Sequence, residues 1–374
     1  MFHFTIANPD NQYRMPRVTH ALILWSAVFF ATHEVAALTE CSPVTVNAPS
    51  AGALLQATIE TEVCNQVKSK FQTANLGPVM GYMAKAYAAS SKGAVADYAT
   101  NMQVFALGAG VTVAVNNITP AFTTSELTAL KNRFSSGTLP DAGAGVVANA
   151  SLGVSFKHMP FKRRGWFDPR NINVYASFFL LPTMSFDVYS LKSTSASAYI
   201  QYKLLPMRKI PFGLMTWGGL DVGLGYSYAS TTTSVSSTTK ITSVEFETNG
   251  KRVVYEPTGT LAITYTSHVV PLEVSTNFSL LYFLSFVVGG AADFHILSSA
   301  EIAANISGVV KVDGVSTSDD YARFSMSETG KASAVGFRTF FGPQFNIWKI
   351  RIFTLAHITN DASYAVTTGA RFVW

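Results

Sequence analysis

The chain has little charge, few cysteines and no long apolar run beyond its N-terminal region. Only 13% of its 374 residues are Asp, Glu, Lys or Arg, whereas typical soluble domains contain about 25%. The absence of an apolar run of about 20 residues excludes a transmembrane helix. The net charge of +5 is not concentrated on a basic face with interleaved aromatics, so we expect no nucleic-acid partner. Without a Cys/His cluster at metal-ligand spacing, we expect no metal and no other cofactor.

Apolar and aromatic residues are abundant instead. Hydrophobic residues make up 48% of the chain and aromatic residues 13%, including 27 Phe and 15 Tyr. A membrane protein without spanning helices must close its sheet into a barrel, because an open edge in lipid leaves backbone groups unpaired. The composition therefore favours a β-barrel in the outer membrane of a bacterium.

Residues 1–37 are predicted to form a secretory signal peptide. Arg14 and Arg17 provide its charged part, and residues 21–31 provide an apolar part that is too short to span a membrane. Met15 is an alternative translation start. The mature chain is therefore expected to be exported.

The two cysteines, Cys41 and Cys64, both follow the signal peptide. An oxidising compartment permits a disulfide between them, and we predict one. Two unpaired thiols are the alternative. Residues 38–41 also resemble a lipoprotein cleavage box, but Glu40 does not suit that motif.

Residues 38–102 differ from the remainder of the chain because their periodicity is helical. Between residues 50 and 72, apolar residues recur every four positions and form one stripe. Residues 79–91 are rich in Ala and Met and predict a second, short helix. A segment this small forms a poor independent domain. We expect it to lie inside the barrel as a plug or at its periplasmic mouth.

Residues 103–374 predict the barrel itself: an all-β, antiparallel transmembrane fold. Apolar and small or polar residues alternate in segments long enough for a tilted membrane strand, about 9–11 residues. The pattern gives about ten strands, with twelve to fourteen as the upper range. The segments lie near residues 103–115, 143–157, 171–183, 193–206, 214–230, 258–275, 284–297, 333–347, 350–358 and 363–374.

The C-terminal strand carries the strongest motif. Its outward parity is apolar with aromatic ends, and Gly369, Phe372 and Trp374 occupy fixed places before the terminus. This ending resembles the C-terminal signal that the outer-membrane barrel assembly machinery recognises. The resemblance implies that this machinery is a partner and that the last strand ends in the periplasm.

This orientation assigns the connections between strands. Residues 117–142, 231–257 and 298–332 are expected to be extracellular loops, with a type I′ hairpin turn at Asn249-Gly250. Residues 276–283 and 348–349 are expected to be periplasmic turns.

A change of apolar parity predicts a bulge or kink near residues 266–269, just before Pro271. Such a kink would open the wall sideways to lipid or merely adjust its curvature.

Charged and polar residues on the inward parity are the candidates for a functional lumen. Two interpretations remain open: the charges pair and fill the core, or they form a constriction that selects solutes. These residues are Lys157, Lys203, Asp221, Glu273, Asp293, His295, Arg338, Arg351 and Arg371. His268, His295 and His357 lie in no recognisable catalytic motif, so we predict no enzyme activity.

Two basic connections are candidates for contact with lipid headgroups on the periplasmic side. They combine cationic and aromatic residues, as membrane-interface segments do. A solvated turn is the alternative. The candidate residues are Lys162, Arg163, Arg164, Trp166, Arg208 and Lys209.

Residues 84–105 resemble the N-terminal hatch region of the long-chain fatty-acid transporter family. The resemblance rests on a Gly/Ala-rich run followed by Ala96-Asp97-Tyr98-Ala99, whereas Asn101-Met-Gln-Val stands where that family has Asn-Pro-Ala-Gly. The resemblance implies that residues 38–102 plug the barrel and that hydrophobic substrates leave sideways, with residues 258–275 as the candidate opening.

The sequence thus predicts a porin-like channel, or a channel for hydrophobic, lipid-like solutes, without catalysis. The alternative is a closed-lumen structural barrel that interacts with outer-membrane lipids or partner subunits. A homo-oligomer is expected in either case.

Overall fold

The computed structural model describes fifteen stretches of the chain, all within Ala36–Trp374. They are residues 45–47, 57–58, 60–62, 65, 76–92, 96–99, 102–117, 142–161, 167–186, 189–209, 214–237, 244–248, 250–281, 283–313 and 321–374, with single residues counted as stretches. The predictions for the signal peptide, the disulfide between Cys41 and Cys64, and the basic residues Lys162, Arg163, Arg164 and Trp166 lie outside these residues.

Strands dominate the described residues. A short helix, α1, spans Leu76–Ser90, and a 3-10 turn spans Pro169–Asn171. The strands are β1 Thr45–Asn47, β2 Phe105–Asn116, β3 Gly143–Ser155, β4 Ile172–Phe186, β5 Tyr189–Leu205, β6 Arg208–Lys209, β7 Met215–Ser237, β8 Val244–Thr248, β9 Lys251–Leu280, β10 Leu284–Val312, β11 Tyr321–Lys331, β12 Val335–Ile347, β13 Ile350–Thr359 and β14 Ser363–Val373.

Ten of these strands close into an antiparallel barrel. The order around the ring is β2, β3, β4, β5, β7, β9, β10, β12, β13 and β14, and β14 pairs with β2 to complete it. β1, β6, β8 and β11 pair with this ring from outside the cycle. The predicted all-β antiparallel barrel is therefore confirmed, with a ring at the lower end of the predicted strand count.

The terminal residues close the ring at its lower end, which we define as the end that holds the C-terminus. The backbone N–H groups of Gln103, Val104 and Phe105 all donate to the Trp374 carbonyl, at 2.7–3.2 Å. The Phe105 and Trp374 rings stack at 6.4 Å, and Phe372 lies 6.2 Å from Phe105. Gly369 faces inward, where a Cβ atom would lie 2.6 Å from the Ala109 carbonyl oxygen.

The outside of the ring is apolar and the inside is polar. Each of the ten strands exposes large apolar side chains on its outward parity, while the inward parity buries polar and charged groups. One exposed example from each strand is Leu107, Val146, Phe178, Ile200, Leu224, Leu272, Phe286, Phe337, Ile352 and Val366. The alternation read from the sequence is thereby confirmed, including the outward parity of β14.

Several strands extend far beyond the upper end of the ring. β9 has 30 residues and β10 has 29, two to three times the length that a membrane requires. β11 pairs with the upper half of β10 and β12 with the lower half. The prediction that 298–332 is a loop was wrong, because the described residues there are largely strand. Within the predicted loop 231–257, β8 and the start of β9 form an antiparallel pair that projects above the ring, and Gly250 has a φ of 73°. Asn249 of the predicted turn lies outside the described residues.

The predicted irregularity near residues 266–269 lies on the neighbouring strand instead. The register between β9 and β10 shifts between His295 and Leu297, which leaves Ile296 as the extra residue. β9 remains paired with β10 on both sides of this bulge, and Pro271 pairs with Asp293. The bulge adjusts curvature, and the candidate opening at 258–275 is not supported.

Helix α1 lies against the inner wall of the barrel, where it contacts β2, β3, β9, β10, β11 and β14. It confirms the helix predicted over residues 79–91. The described residues between 50 and 72 are also helical, and Thr61 donates to the Ala57 carbonyl at 2.9 Å. None of the described helices is long and apolar enough to cross a membrane.

The close approach of β12 and β13 generates the first prediction. A Cβ at Gly342 would lie 1.9 Å from the Thr354 carbonyl oxygen, so we expect Gly342→Val to lower the free energy of unfolding by about 3 kcal/mol or more. Chemical unfolding in detergent micelles measures this loss. Gly290→Ala is the control, because its nearest atom is 3.7 Å away, and its effect should stay within about 0.5 kcal/mol. Equal effects of both substitutions would contradict the prediction.

Candidate functional site

The candidate site is the lumen, where residues 76–92, 96–99 and 102 pack against the wall; these described residues are hereafter the plug. Glycines on the wall allow the plug backbone to approach closely. A Cβ at Gly143 would lie 2.1 Å from the Tyr82 carbonyl oxygen, and one at Gly145 would lie 2.6 Å from the Tyr87 Cα. A Cβ at Gly330, across the lumen on β11, would lie 2.1 Å from the Gly81 nitrogen. The helix is therefore held backbone to backbone between β3 and β11.

Apolar contacts fix the upper part of the plug. Val79, Met80 and Ala84 are buried against Ala300 and Ile302 of β10. On another side of the helix, small residues of the plug and the wall pack together: Ala89 of the plug contacts Ala114 and Ala365 of the wall. This packing explains why the helix is rich in Ala and Met.

Tyr87 anchors the helix through its ring and its hydroxyl group. The ring stacks on Tyr265 at 5.1 Å between centroids, and the hydroxyl lies 2.9 Å from the Thr231 hydroxyl. Burial raises the pKa of this phenol, so it remains a neutral hydrogen-bonding group.

A buried charge cluster joins the middle of the plug to the wall. Lys92 of the plug pairs with Asp293 at 2.5 Å. Asp293 also pairs with Arg338 at 3.1 Å, and Arg338 in turn pairs with Glu273. All four side chains are at least nine-tenths buried. Two positive and two negative charges therefore neutralise one another inside the barrel.

Tyrosine hydroxyls and a histidine complete this cluster. Tyr98 of the plug and Tyr199 of β5 donate to the same Glu273 oxygen, at 2.8 and 2.7 Å. Arg338 donates to the Nδ1 of His357 at 3.1 Å, and the His357 Nε2 lies 2.9 Å from the Thr367 hydroxyl. Asp293, Glu273 and Arg338 thus each have at least two hydrogen-bond partners, as buried charges require.

A second ion pair lies closer to the lower end. Arg371 of β14 pairs with Asp97 at 3.3 Å and donates to the Ala96 carbonyl at 2.8 Å. Asn277 of β9 donates to the Tyr98 carbonyl at 2.9 Å. The plug backbone is therefore held by side chains from opposite parts of the wall.

Most of the lumen residues predicted from the sequence do face inward. Glu273, Asp293, Arg338 and Arg371 contact the plug or its charge cluster, and Lys203 pairs with Asp221 at 3.3 Å. The pairing interpretation is the one that these contacts support.

The other three predicted lumen residues have hydrogen-bond partners outside the plug. Lys157 follows the end of β3 and donates to the Gln103 side chain at the lower rim. Arg351 donates to the Trp348 carbonyl at 2.6 Å in the lower turn. His295 shares a face with Asp293, but its Nδ1 donates to the Ser333 carbonyl. Sequence parity assigns a face to each residue but not its height along the barrel axis.

The sequence reading of the site missed Lys92, Asp97, Tyr98, Tyr199 and His357 as lumen contacts. Asp97 and Tyr98 were noted only as part of the hatch resemblance. A usable signal was the presence of isolated charges, Lys92 and Asp97, in an otherwise Ala-rich segment. Such charges need partners when the segment is buried.

The described histidines have glutamine, tyrosine, arginine, threonine and backbone carbonyl groups as hydrogen-bond partners, and none of them is bonded to the carboxylate that a catalytic triad requires. His268 lies on the outer face, where its Nδ1 is 2.7 Å from the Tyr226 hydroxyl. Among the described residues, no group of three or more His, Cys, Asp or Glu side chains is positioned to hold a metal ion.

A closed antiparallel ring with an apolar exterior and a polar, plugged interior is the architecture of an outer-membrane β-barrel. A family model described as Lsa36-like matches residues 35–374, so the chain belongs to the Lsa36-like family. No curated protein matches the sequence.

Solved barrels share this type of fold at low similarity. The translocator domain of the autotransporter NalP from Neisseria meningitidis is 10% identical, covers 87% of this chain and 100% of its own, and gives a TM-score of 0.27. LpxR from Salmonella typhimurium is 8% identical over 71% of this chain and 100% of its own, with a TM-score of 0.22. A Pseudomonas aeruginosa FadL homologue is 8% identical over 79% of this chain and 98% of its own, with a TM-score of 0.23. Scores this low support no argument, and the barrel assignment rests on the strand pairing.

The charge cluster generates a stability prediction. Asp293→Asn and Lys92→Met should each lower the free energy of unfolding by about 3 kcal/mol, because each leaves a buried charge uncompensated. The double substitution should cost less than the sum of the two, because the groups interact directly. Chemical unfolding in detergent micelles measures all three values.

The matched control is the exposed pair Glu245 and Arg252 on the β8–β9 hairpin. Removing that pair should cost no more than about 1 kcal/mol. Strictly additive losses at Lys92 and Asp293 would contradict the proposed coupling of plug and wall.

Proposed function

We propose that the protein is an outer-membrane barrel whose lumen is sealed by its own N-terminal segment and that it serves as a structural barrel contacting lipids or partner subunits. The observation that carries the proposal is the paired charge pattern between plug and wall: Lys92 with Asp293, and Asp97 with Arg371. A plug held this way excludes the continuous water column of an open porin. A route for hydrophobic solutes would require these ion pairs to break or to be bypassed.

The exterior of the ring supports placement in a membrane. All ten ring strands expose large apolar side chains, such as Phe337 at 61% and Ile347 at 60%. Water-soluble proteins rarely expose continuous apolar surface of this extent. Aromatic rings, including Trp348 and Trp374, gather at the lower end, as in an interfacial girdle.

Basic residues at the lower end fit contact with lipid phosphates. Arg208 and Lys209 of β6 are both exposed, and the Lys349 ammonium lies 5.1 Å from the Trp348 ring. Cationic residues beside interfacial aromatics are suited to headgroup binding. We propose that this end faces the periplasm and contacts lipid phosphates there.

The upper extension provides a surface for partner molecules. Its outward rows on β10 and β11 are polar and carry few large apolar groups. They include Glu301, Asn305, Ser307, Arg323, Ser325, Ser327, Thr329 and Lys331. We propose that partners outside the cell, or a second copy of the chain, contact this polar sheet.

Single-channel recording tests the sealed lumen. Wild-type protein reconstituted in a planar bilayer should show no stable conductance steps. Lys92→Glu combined with Asp97→Lys should produce salt-dependent steps, because each substitution places like charges opposite Asp293 and Arg371. Lys85→Glu is the control: it also changes a charge on the plug, but its described contact is with Tyr82 of the same helix, and we expect it to remain silent.

Stable steps from wild-type protein would overturn the sealed-lumen proposal. Silence from the charge-reversed variant, with insertion verified by a heat-dependent shift in gel mobility, would show that these ion pairs do not hold the seal.

The terminal aromatics generate a prediction for assembly. Phe372→Ala with Trp374→Ala should reduce the folded, membrane-inserted fraction in cells several-fold, because these residues form the proposed assembly signal and the stacked cluster with Phe105. Fractionation and heat-dependent gel mobility measure that fraction. Trp348→Ala removes an exposed aromatic from the same end and should leave assembly unchanged. Equal losses in both variants would instead indicate a general need for interfacial aromatics.

A further inference from the structure

The barrel wall divides between β3 and β4 in its upper half. Among the described strands, these two pair only through residues 150–155 of β3 and 173–178 of β4. Above these pairs, residues 143–149 and 179–186 are still strands, but they no longer pair with each other. We call this division the seam.

The two strands that border the seam, β3 and β4, differ in the burial of their inward residues. On β3, the inward residues Gly143, Gly145, Val147 and Asn149 all remain buried, because the plug packs against them. On β4, inward residues become progressively exposed along the strand. Tyr175 and Ser177 are buried, Phe179 and Leu181 are half-buried, and Thr183 is exposed. β3 therefore stays with the plug while β4 diverges from it.

The space between the two sides has an apolar lining. Phe179 and Leu181 lie on the inward parity of β4 at the seam and are half-buried. The outward residues of the same stretch, Phe178 and Leu180, are 57% and 55% exposed. β4 is thus apolar on both faces here, which is typical of a strand with apolar neighbours on both sides.

Several serine and threonine hydroxyls beside this lining have partners of their own. Ser195 of β5 donates to the Ala148 carbonyl at 2.8 Å, which replaces a partner that β4 would otherwise provide. The Ser193 and Thr231 hydroxyls lie 2.8 Å apart. Asn149, the first β3 residue above the last pair, has a buried side-chain oxygen with no hydrogen-bond partner among the described residues. The seam contains no described charged side chain, so it fits an apolar chain rather than an ionic solute.

We propose that the seam binds one acyl chain of a lipid from the outer leaflet of the membrane. The proposal rests on the membrane placement proposed above. The exposed apolar surface of Phe178 and Leu180 continues around the edge of β4 to Phe179 and Leu181, so a lipid chain can enter from the membrane without crossing a polar barrier. At the upper end, headgroup atoms can reach the edge of β4 that faces away from β5, which has no described strand partner above Phe178 and whose backbone groups need partners.

Two matched pairs of substitutions test the site. Phe179→Ala/Leu181→Ala removes the inward lining, and Phe178→Ala/Leu180→Ala removes the same residue types from the outward face of the same strand. Full-length protein is reconstituted in vesicles of phosphatidylethanolamine and phosphatidylglycerol, extracted in mild detergent and examined by native mass spectrometry. Wild-type protein should retain one phospholipid per chain. The inward variant should retain about tenfold less, because two apolar contacts with the chain are lost, and the outward variant should retain as much as wild type.

Several outcomes would overturn the site. They are equal retention by both variants, retention of detergent as an adventitious additive only, or a retained mass equal to a second copy of the chain. Heat-dependent gel mobility after reconstitution separates the two proposals. Failure of wild-type protein to insert would contradict the membrane placement, whereas insertion without lipid retention would contradict the acyl-chain site alone.

Discussion

Arg338, Asp293 and Glu273 leave one excess negative charge on the inner wall, and Lys92 of the plug neutralises it. Lower in the lumen the signs are reversed, since Arg371 belongs to the wall and Asp97 to the plug. Without the plug, the wall would keep an uncompensated buried charge at each of these two places, and an uncompensated buried charge is strongly destabilising. The positions of these two pairs along the barrel axis fix both the depth and the direction of the plug. The proposed closed state of the lumen rests on this complementarity.

Much of the barrel could be predicted because the polarity of successive residues alternates strongly along membrane strands. Where the outer face meets lipid, apolar and polar residues alternate, and all ten ring strands were recognised from that pattern. The upper half of β10 was not recognised, because its polarity is the reverse of that in a lipid-facing strand: Ile302 and Val310 are buried on the inner face, and Glu301 and Asn305 are exposed on the outer face. Above the apolar belt the outer face no longer needs apolar side chains, so the contrast that identifies a membrane strand is lost while the backbone pairing continues.

The candidate site could be predicted only in part. Parity placed Asp293, Glu273, Arg338 and Arg371 inside the barrel, but it could not show that Lys92 and Asp97 complete their pairs. Those contacts join residues far apart in the sequence, and their heights depend on strand register and on the stagger of the ring. The same limitation applies to Lys157, which follows the end of β3 at Ser155, and to Arg351, which lies at the lower end of β13.

The division of the wall between β3 and β4 has a physical origin in the docking of the plug. Gly143 and Gly145 let the backbone of α1 approach β3 so closely that a side chain at either position would overlap it. A strand held this tightly to an internal helix cannot also follow the outward course of β4, and Pro182 removes a backbone donor from the diverging stretch of β4. The Ser195 hydroxyl donates to the Ala148 carbonyl, which is one of the β3 carbonyls above the last pair with β4. Sealing the lumen and dividing the wall are therefore two consequences of the same packing, and a barrel with larger residues at these glycines would lose both.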